Sequence, residues 1–191
     1  VQDDMNNVVI YKPATPGYEN APTVILQGHM DMVCAKCPEI EHDFIKDGLK
    51  LVVKDGFLSA EGTTLGGDDG IAVAYGLALL DSTDLPHPAL EVVFTVDEET
   101  GLLGADGFDC SLLKGRRMIN LDSEKEGCLW VSCAGGVAGN SYLPVRRVDA
   151  SGRKVNVKVC GLVGGHSGAE IHKNRASANI LMGQFLYEPV S

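Results

Sequence analysis

Short apolar runs separated by turn-forming residues dominate the first two thirds of the chain. "NNVVIYK" and "TVILQGH" each read as a strand, and the "PATPGYENAP" between them carries the Pro, Gly and Asn of a loop. "LKLVVKDGFLSAEG" places two strand-like arms around Asp55-Gly56, a two-residue hairpin signal. "GTTLGGDDG" leads into "IAVAYGLALLDS", which is apolar almost all round and predicts a buried helix. "ALEVVFTV" is a near-continuous apolar strand of the kind found in a sheet covered on both faces, and "MINLD" reads as another. Strands alternating with helices predict an α/β sheet.

From about Ser151 the pattern changes. "RKVNVKVCGLVGGHSG" alternates polar and apolar residues, as in a strand with one wet face, and "RASANILMGQFLYE" follows with helical spacing. "VDASGRK" therefore reads as a domain boundary. The expected division is residues 1–150 and 151–191, with only one strand and one helix of the second domain present. A truncated second domain is the expectation. Repeats and low-complexity segments are not apparent in the sequence.

Composition narrows the class of protein. Hydrophobic residues make up 45% and charged residues 22% of the 191, an ordinary soluble globular balance. No apolar run approaches the roughly 20 residues that span a bilayer, and no secretory signal is visible, so a cytoplasmic protein with no membrane partner is expected. A formal net charge of −10 argues against nucleic acid as a partner, because phosphate binding needs clustered Lys and Arg. The six cysteines are irregularly spaced with a single Cys-x-x-Cys, at Cys34 and Cys37, so a four-thiolate zinc site has no second half. Reduced cysteines are expected.

The acids have a more telling distribution. Four strand-like runs end in metal-capable groups: His29 and Asp31 after "TVILQG", Asp68 and Asp69 before the apolar helix, Asp97, Glu98 and Glu99 in "VDEE", and Asp122 in "MINLD". In an open α/β sheet, sites collect at the carboxyl ends of strands, so these groups can converge on one cleft. Three consecutive carboxylates at the end of a buried strand repel one another unless cations compensate them. A divalent metal pair supplies that compensation. Imidazole with carboxylate suits zinc, with manganese or cobalt as alternatives. A phosphate-cradling loop in "GTTLGGDDG" fits poorly, since the Lys-Ser/Thr of a P-loop is missing and two aspartates repel phosphate.

"GHMDMV", "GTTLGGDDGIAVA", "TVDEETGLLGA" and "NLDSE", in this order, resemble the co-catalytic zinc aminoacylase/carboxypeptidase/dipeptidase superfamily. "HDFIKDGL", "CAGG" and "GGHSGAEIH" are most similar to its aminoacyl-histidine dipeptidase branch, the bacterial carnosine-cleaving Xaa-His dipeptidases. The resemblance implies a zinc-peptidase catalytic domain, with a mixed, mostly parallel sheet covered by helices, followed by the start of an α+β lid or dimerisation domain. It implies that His29 binds one zinc, that Asp68 bridges two, that Glu99 binds the second, and that Asp122 shares the metal of His29. Glu98 becomes the general base that deprotonates a zinc-activated water. Asp31 becomes the acid that orients His29 through its other ring nitrogen. Asp69 is expected at the helix start or as a hydrogen-bond acceptor.

In the family a lid histidine helps hold the tetrahedral intermediate, often across a homodimer, and His166 in "GLVGGHSG" matches it. The family's last zinc-binding histidine lies beyond Ser191, so the chain is expected to be a fragment that is weak in metal and inactive alone. The implied substrate is a small Xaa-His peptide. Two other readings stand beside it: an aminoacylase or carboxypeptidase on the same metal core, and a non-catalytic protein that retains the fold. Cys34 and Cys37 are expected to be ordinary loop cysteines.

Overall fold

The computed structural model describes all residues except 124, 134, 136, 138, 150, 166–169 and 188–191. The chain divides into two compact units, Val1–Glu126 and Gly127–Ser191.

The first unit is built on a four-stranded mixed sheet in the order β1-β5-β2-β6, where β1 is Val8–Lys12, β2 Val24–His29, β5 Leu90–Thr95 and β6 Arg117–Asn120. β2 runs parallel to both β5 and β6, while β1 lies antiparallel to β5. β5 therefore has a neighbour on each side, and all six of its residues are buried. Its continuous apolar character follows from this central position. On one face, Val9, Ile25 and Val93 pack with Phe108, Leu112 and Leu113. On the other, Leu26, Val92 and Phe94 pack with Val73, Leu79 and Leu80 of helix α1 (Gly67–Asp81). Glu91, on the first of these faces, is buried, and its carboxylate accepts the amides of Lys114 and Gly115. The charge is thereby paired with donors rather than stranded in the core.

Close helix–sheet contact depends on small residues. A Cβ on Gly28 would lie 2.3 Å from Ala72 Cβ and 2.6 Å from Asp69 Oδ2, and one on Gly76 would lie 2.7 Å from Phe94 Cζ. Gly28→Ala is therefore expected to destabilise the fold by about 1–3 kcal/mol, the usual cost of overpacking. Gly48→Ala, where the added Cβ meets nothing within 4 Å, serves as the near-neutral control. Urea unfolding of the two variants measures the difference.

Two expectations are corrected here. α1 is not buried all round: Ile71, Tyr75 and Leu77 are each more than half exposed, because only the side bearing Ala72 and Gly76 meets the sheet. β6 is an exposed strand rather than a covered one: it lies at the sheet edge, and β2 is its only strand partner among the described residues. The hairpin forms as predicted, with β3 (Leu51–Lys54) paired to β4 (Phe57–Ala60). Its turn places Asp55 at φ 53° and Gly56 at φ 82°, as a two-residue turn of this hand requires. A one-turn helix, α2 (Leu103–Asp106), follows the acidic loop after β5.

In the second unit, helix α3 (Ala178–Tyr187) forms where the sequence predicts it. Arg175 pairs with Glu170 at 2.6 Å and also donates to the carbonyl of Gly164. The alternating stretch from Arg153 forms no strand among the described residues. Extended backbone becomes a strand only when a ladder partner satisfies its amides and carbonyls, and these residues supply none.

Candidate metal centre

The carboxyl end of β2 is the hub of the site. His29, the last residue of the strand, is 1% exposed. Its main-chain amide donates to Asp69 Oδ2 at 3.2 Å, so the buried Asp69 ties the start of α1 to the strand end. The Asp68-Asp69 peptide is cis, and both residues fall outside helical φ/ψ before α1 becomes regular. Gly66, at φ 75°, supplies the left-handed turn that precedes them.

The two ring nitrogens of His29 have different tasks. Nδ1 lies 3.0 Å from the main-chain carbonyl of Asp31. A carbonyl can only accept, so Nδ1 carries the hydrogen, and this fixes the ring's tautomer and orientation. Nε2 then faces Asp68 Oδ1 at 3.1 Å and Glu98 Oε2 at 4.0 Å. With Nδ1 already protonated, a lone pair facing a carboxylate at 3.1 Å is tolerated only with positive charge between them, either a second proton or a metal. Among the described residues the ligand-capable atoms form two groups that share His29, each within 4.8 Å: His29, Asp68 and Asp122, and His29, Glu98 and Glu99. One imidazole with several carboxylates is a donor set that zinc or manganese accepts.

Asp31 lies against the other ring nitrogen of His29 and makes further contacts. The short contact to the imidazole comes from its main-chain carbonyl, while its carboxylate oxygen stands 3.5 Å from Nδ1. Both carboxylate oxygens also accept amides, Glu98 N–H on Oδ1 and Glu99 N–H on Oδ2, each at 3.1 Å. A sequence shows which side chains are present but not which amides they accept, so nothing in it signalled this contact. His166 lies outside the described residues.

Comparisons with known proteins bear directly on this constellation. No family model matches the chain. The cytosol non-specific dipeptidase of Escherichia coli is 42% identical over 187 residues, which are 97% of this chain and 39% of that protein. The crystal structure of aminoacylhistidine dipeptidase from Vibrio alginolyticus superposes with a TM-score of 0.70 at 38% identity, over 98% of this chain and 39% of that one. The chain is a homologue of these dipeptidases. A tripeptidase from Staphylococcus aureus also matches, with a TM-score of 0.50 at 30% identity, over 63% of this chain and 30% of that one. The homologue thus spans 39% of the length of the curated dipeptidase it matches. Its mixed sheet covered by helices is the fold of these peptidases.

The electrostatics of the homologue's site match its crowding by acids. Burial alone would lower the pKa of His29, but the Asp68 hydrogen bond, the Asp122 charge and the bond to the Asp31 carbonyl raise it above the ordinary value. Burial raises the pKa of Glu98; the nearby His29 opposes this, and the charges of Asp122, Glu99 and Asp31 reinforce it. Asp69 is likewise raised, by burial first, against the amide of His29. Asp31 goes the other way: burial would raise its pKa, but the amides of Glu98 and Glu99 stabilise the carboxylate and the net shift is downward. A cleft of about 190 Å³ opens beside the cluster, with Asp68 and Asp122 in its wall.

Other candidate groups lie apart from this centre. Cys34 and Cys37 are exposed free thiols, and neither joins a metal-capable group among the described residues. His87 is buried in its loop with Nδ1 2.7 Å from the carbonyl of Pro88. His42 packs edge-on against Phe44, and His172 sits in an exposed turn. No helix among the described residues is long and apolar enough to cross a membrane.

Proposed function

We propose that this chain carries the metal-binding face of a dinuclear zinc dipeptidase acting on small peptides of the Xaa-His type, with manganese or cobalt as possible substitutes for zinc. The observation that supports this reading most is the shared position of His29. One imidazole, with its tautomer fixed by a carbonyl, belongs to both three-residue groups of ligand-capable atoms. In the proposed assignment His29, Asp68 and Asp122 hold one metal, Asp68 is shared with the second, and Glu99 binds the second. Bound divalent ions supply the charge that acidifies a water and stabilises the anion developing on the scissile carbonyl. Glu98 takes the proton from the attacking water at a carboxylate oxygen and returns it to the leaving amine. Its raised pKa makes it a stronger base than an ordinary glutamate, which suits both transfers. Asp31 holds the loop that bears Glu98, and His166 is the proposed donor to the developing oxyanion.

The proposal extends to a homodimer, to a cytoplasmic location, and to residues 151–191 as the start of a lid or dimerisation domain. An aminoacylase or carboxypeptidase would use the same metal core on a different amide. Zinc titration by calorimetry on the full-length protein, paired with hydrolysis of β-Ala-His, tests the reading. Two equivalents of zinc and metal-dependent release of His are expected. Absence of zinc binding overturns the proposal, and zinc binding with cleavage only of N-acyl amino acids selects the aminoacylase.

A further inference from the structure

The loop that joins β5 to α2 carries both Glu98 and Glu99, and its backbone is held at two points by side chains from distant parts of the sequence. At its base is Asn7, which is 0% exposed. Asn7 Oδ1 accepts the amide of Val96 at 3.1 Å, and Nδ2 donates to the carbonyl of Gly104 at 2.9 Å and to Asp3 Oδ2 at 2.8 Å. One carboxamide therefore ties together the entry and exit of the loop, and both of its Nδ2 hydrogens are committed. The neck is tight: Gly104 N–H donates to the carbonyl of Val96 at 3.1 Å, and a Cβ on Gly104 would lie 2.1 Å from that carbonyl oxygen. Between base and tip, the carbonyl of Glu98 accepts the amides of Gly101 and Leu102, each at 3.0 Å. At the tip, the carboxylate of Asp31 accepts the amides of Glu98 and Glu99.

We infer that Asn7 and Asp31 are positioning residues that set the backbone of Glu98 and Glu99 before any metal binds. This inference rests on the reading of Glu98 and Glu99 as base and ligand. Its physical content is preorganisation. The two glutamates repel each other and the neighbouring acids, and a loop held only by metal would splay in the metal-free protein. Here each amide of the acidic pair is instead held by one oxygen of the Asp31 carboxylate, two residues past the end of β2, and charge-assisted bonds of this kind are the stronger ones. Asn7 performs the same service at the neck, where a buried polar side chain keeps its place only with its partners satisfied.

Amide hydrogen exchange by NMR on the full-length protein, with zinc removed by chelation, tests the clamp. The amides of Glu98 and Glu99 are expected to exchange at least about tenfold more slowly than in an unstructured peptide, the scale of one hydrogen bond to a charged group, and the Val96 amide, bonded to the neutral Asn7 carboxamide, should be slowed by less. Asp31→Asn turns one acceptor into a donor facing an N–H, so at least one of the Glu98 and Glu99 amides should lose that protection. Amides in β5 should stay within about twofold of their original rates, since global stability governs them. Asn7→Asp keeps an acceptor for Val96 but sets a carboxylate against Asp3 and the Gly104 carbonyl, and it should loosen Val96. In the zinc-loaded protein both variants should lower kcat while leaving KM within about threefold, as expected when the reacting groups rather than the substrate are misplaced. Fast exchange of these amides without zinc, with protection appearing only when zinc is added, would show that the metal shapes the loop and overturn the inference. Unchanged protection in Asp31→Asn would do the same. The exchange readout does not depend on hydrolysis, so a protein that lacked dipeptidase activity would refute the proposed function and leave the clamp to be judged on its own data.

Discussion

Glu98→Gln is expected to retain its metal and to lose about a thousandfold in kcat/KM. The amide is nearly isosteric with the carboxylate but cannot accept a proton, and general-base catalysis typically contributes about 10²–10⁴-fold. A thousandfold loss corresponds to about 4 kcal/mol of transition-state stabilisation. The structure gives the experiment a second edge. Glu98 Oε2 lies 4.0 Å from His29 Nε2, and Glu98 also belongs to a group of ligand-capable atoms with His29 and Glu99. Glu98 could in principle act as base or as ligand, and the two roles give different results in the same variant. A base leaves the zinc stoichiometry at two while activity collapses, whereas a ligand takes one equivalent of zinc with it. Elemental analysis alongside initial rates on β-Ala-His separates these outcomes. Near wild-type turnover with full metal content would remove Glu98 from the chemistry altogether.

The fold was legible where periodicity and turn chemistry act locally. β5 reads as buried on both faces because it lies centrally in the sheet, and the Asp55-Gly56 hairpin reads from two residues that tolerate positive φ. Misreadings arose where tertiary context decides. An all-round apolar α1 looks buried, yet it touches the sheet along one stripe, and "MINLD" looks interior but occupies an edge. The alternation after Arg153 could signal only the potential for a strand, because pairing requires a partner.

Much of the candidate site was also visible in the sequence, since acids at the ends of successive parallel strands are delivered to one side of the sheet by topology. That rule anticipates the meeting of His29 with Asp68, Glu98, Glu99 and Asp122. It says nothing about backbone acceptors. The roles of the Asp31 carbonyl and carboxylate, and the whole of Asn7, depend on main-chain groups that every residue possesses alike. Asn7 sits in an unremarkable "MNNVV", and only its burial and its two loop contacts mark it out.

His29→Ala should have a large effect on metal binding, because His29 is the one nitrogen donor in the ligand-capable groups among the described residues. Removing the outer hydrogen-bond partner of a metal ligand typically costs about 10–100-fold in affinity, so removal of the ligand itself should exceed about 100-fold. Asp122→Asn should act on the same metal, and more weakly. Asp122 belongs only to the group with Asp68, so its loss should weaken one zinc equivalent and spare the equivalent nearer Glu98 and Glu99. Calorimetric titration checks that the two side chains share one metal: both variants should keep one tight equivalent of zinc, with the larger loss of affinity at the other in His29→Ala. The same imidazole, when protonated, offsets the charges of Asp68 and Asp122 in the metal-free protein, and both acids raise its pKa. His29→Ala removes that balancing charge along with the ligand, so chelated His29→Ala should melt below chelated wild type, because the clustered carboxylates lose a close cation. Two equivalents of zinc of unchanged affinity in His29→Ala would show that the acids suffice without the imidazole and would remove His29 from the ligand set.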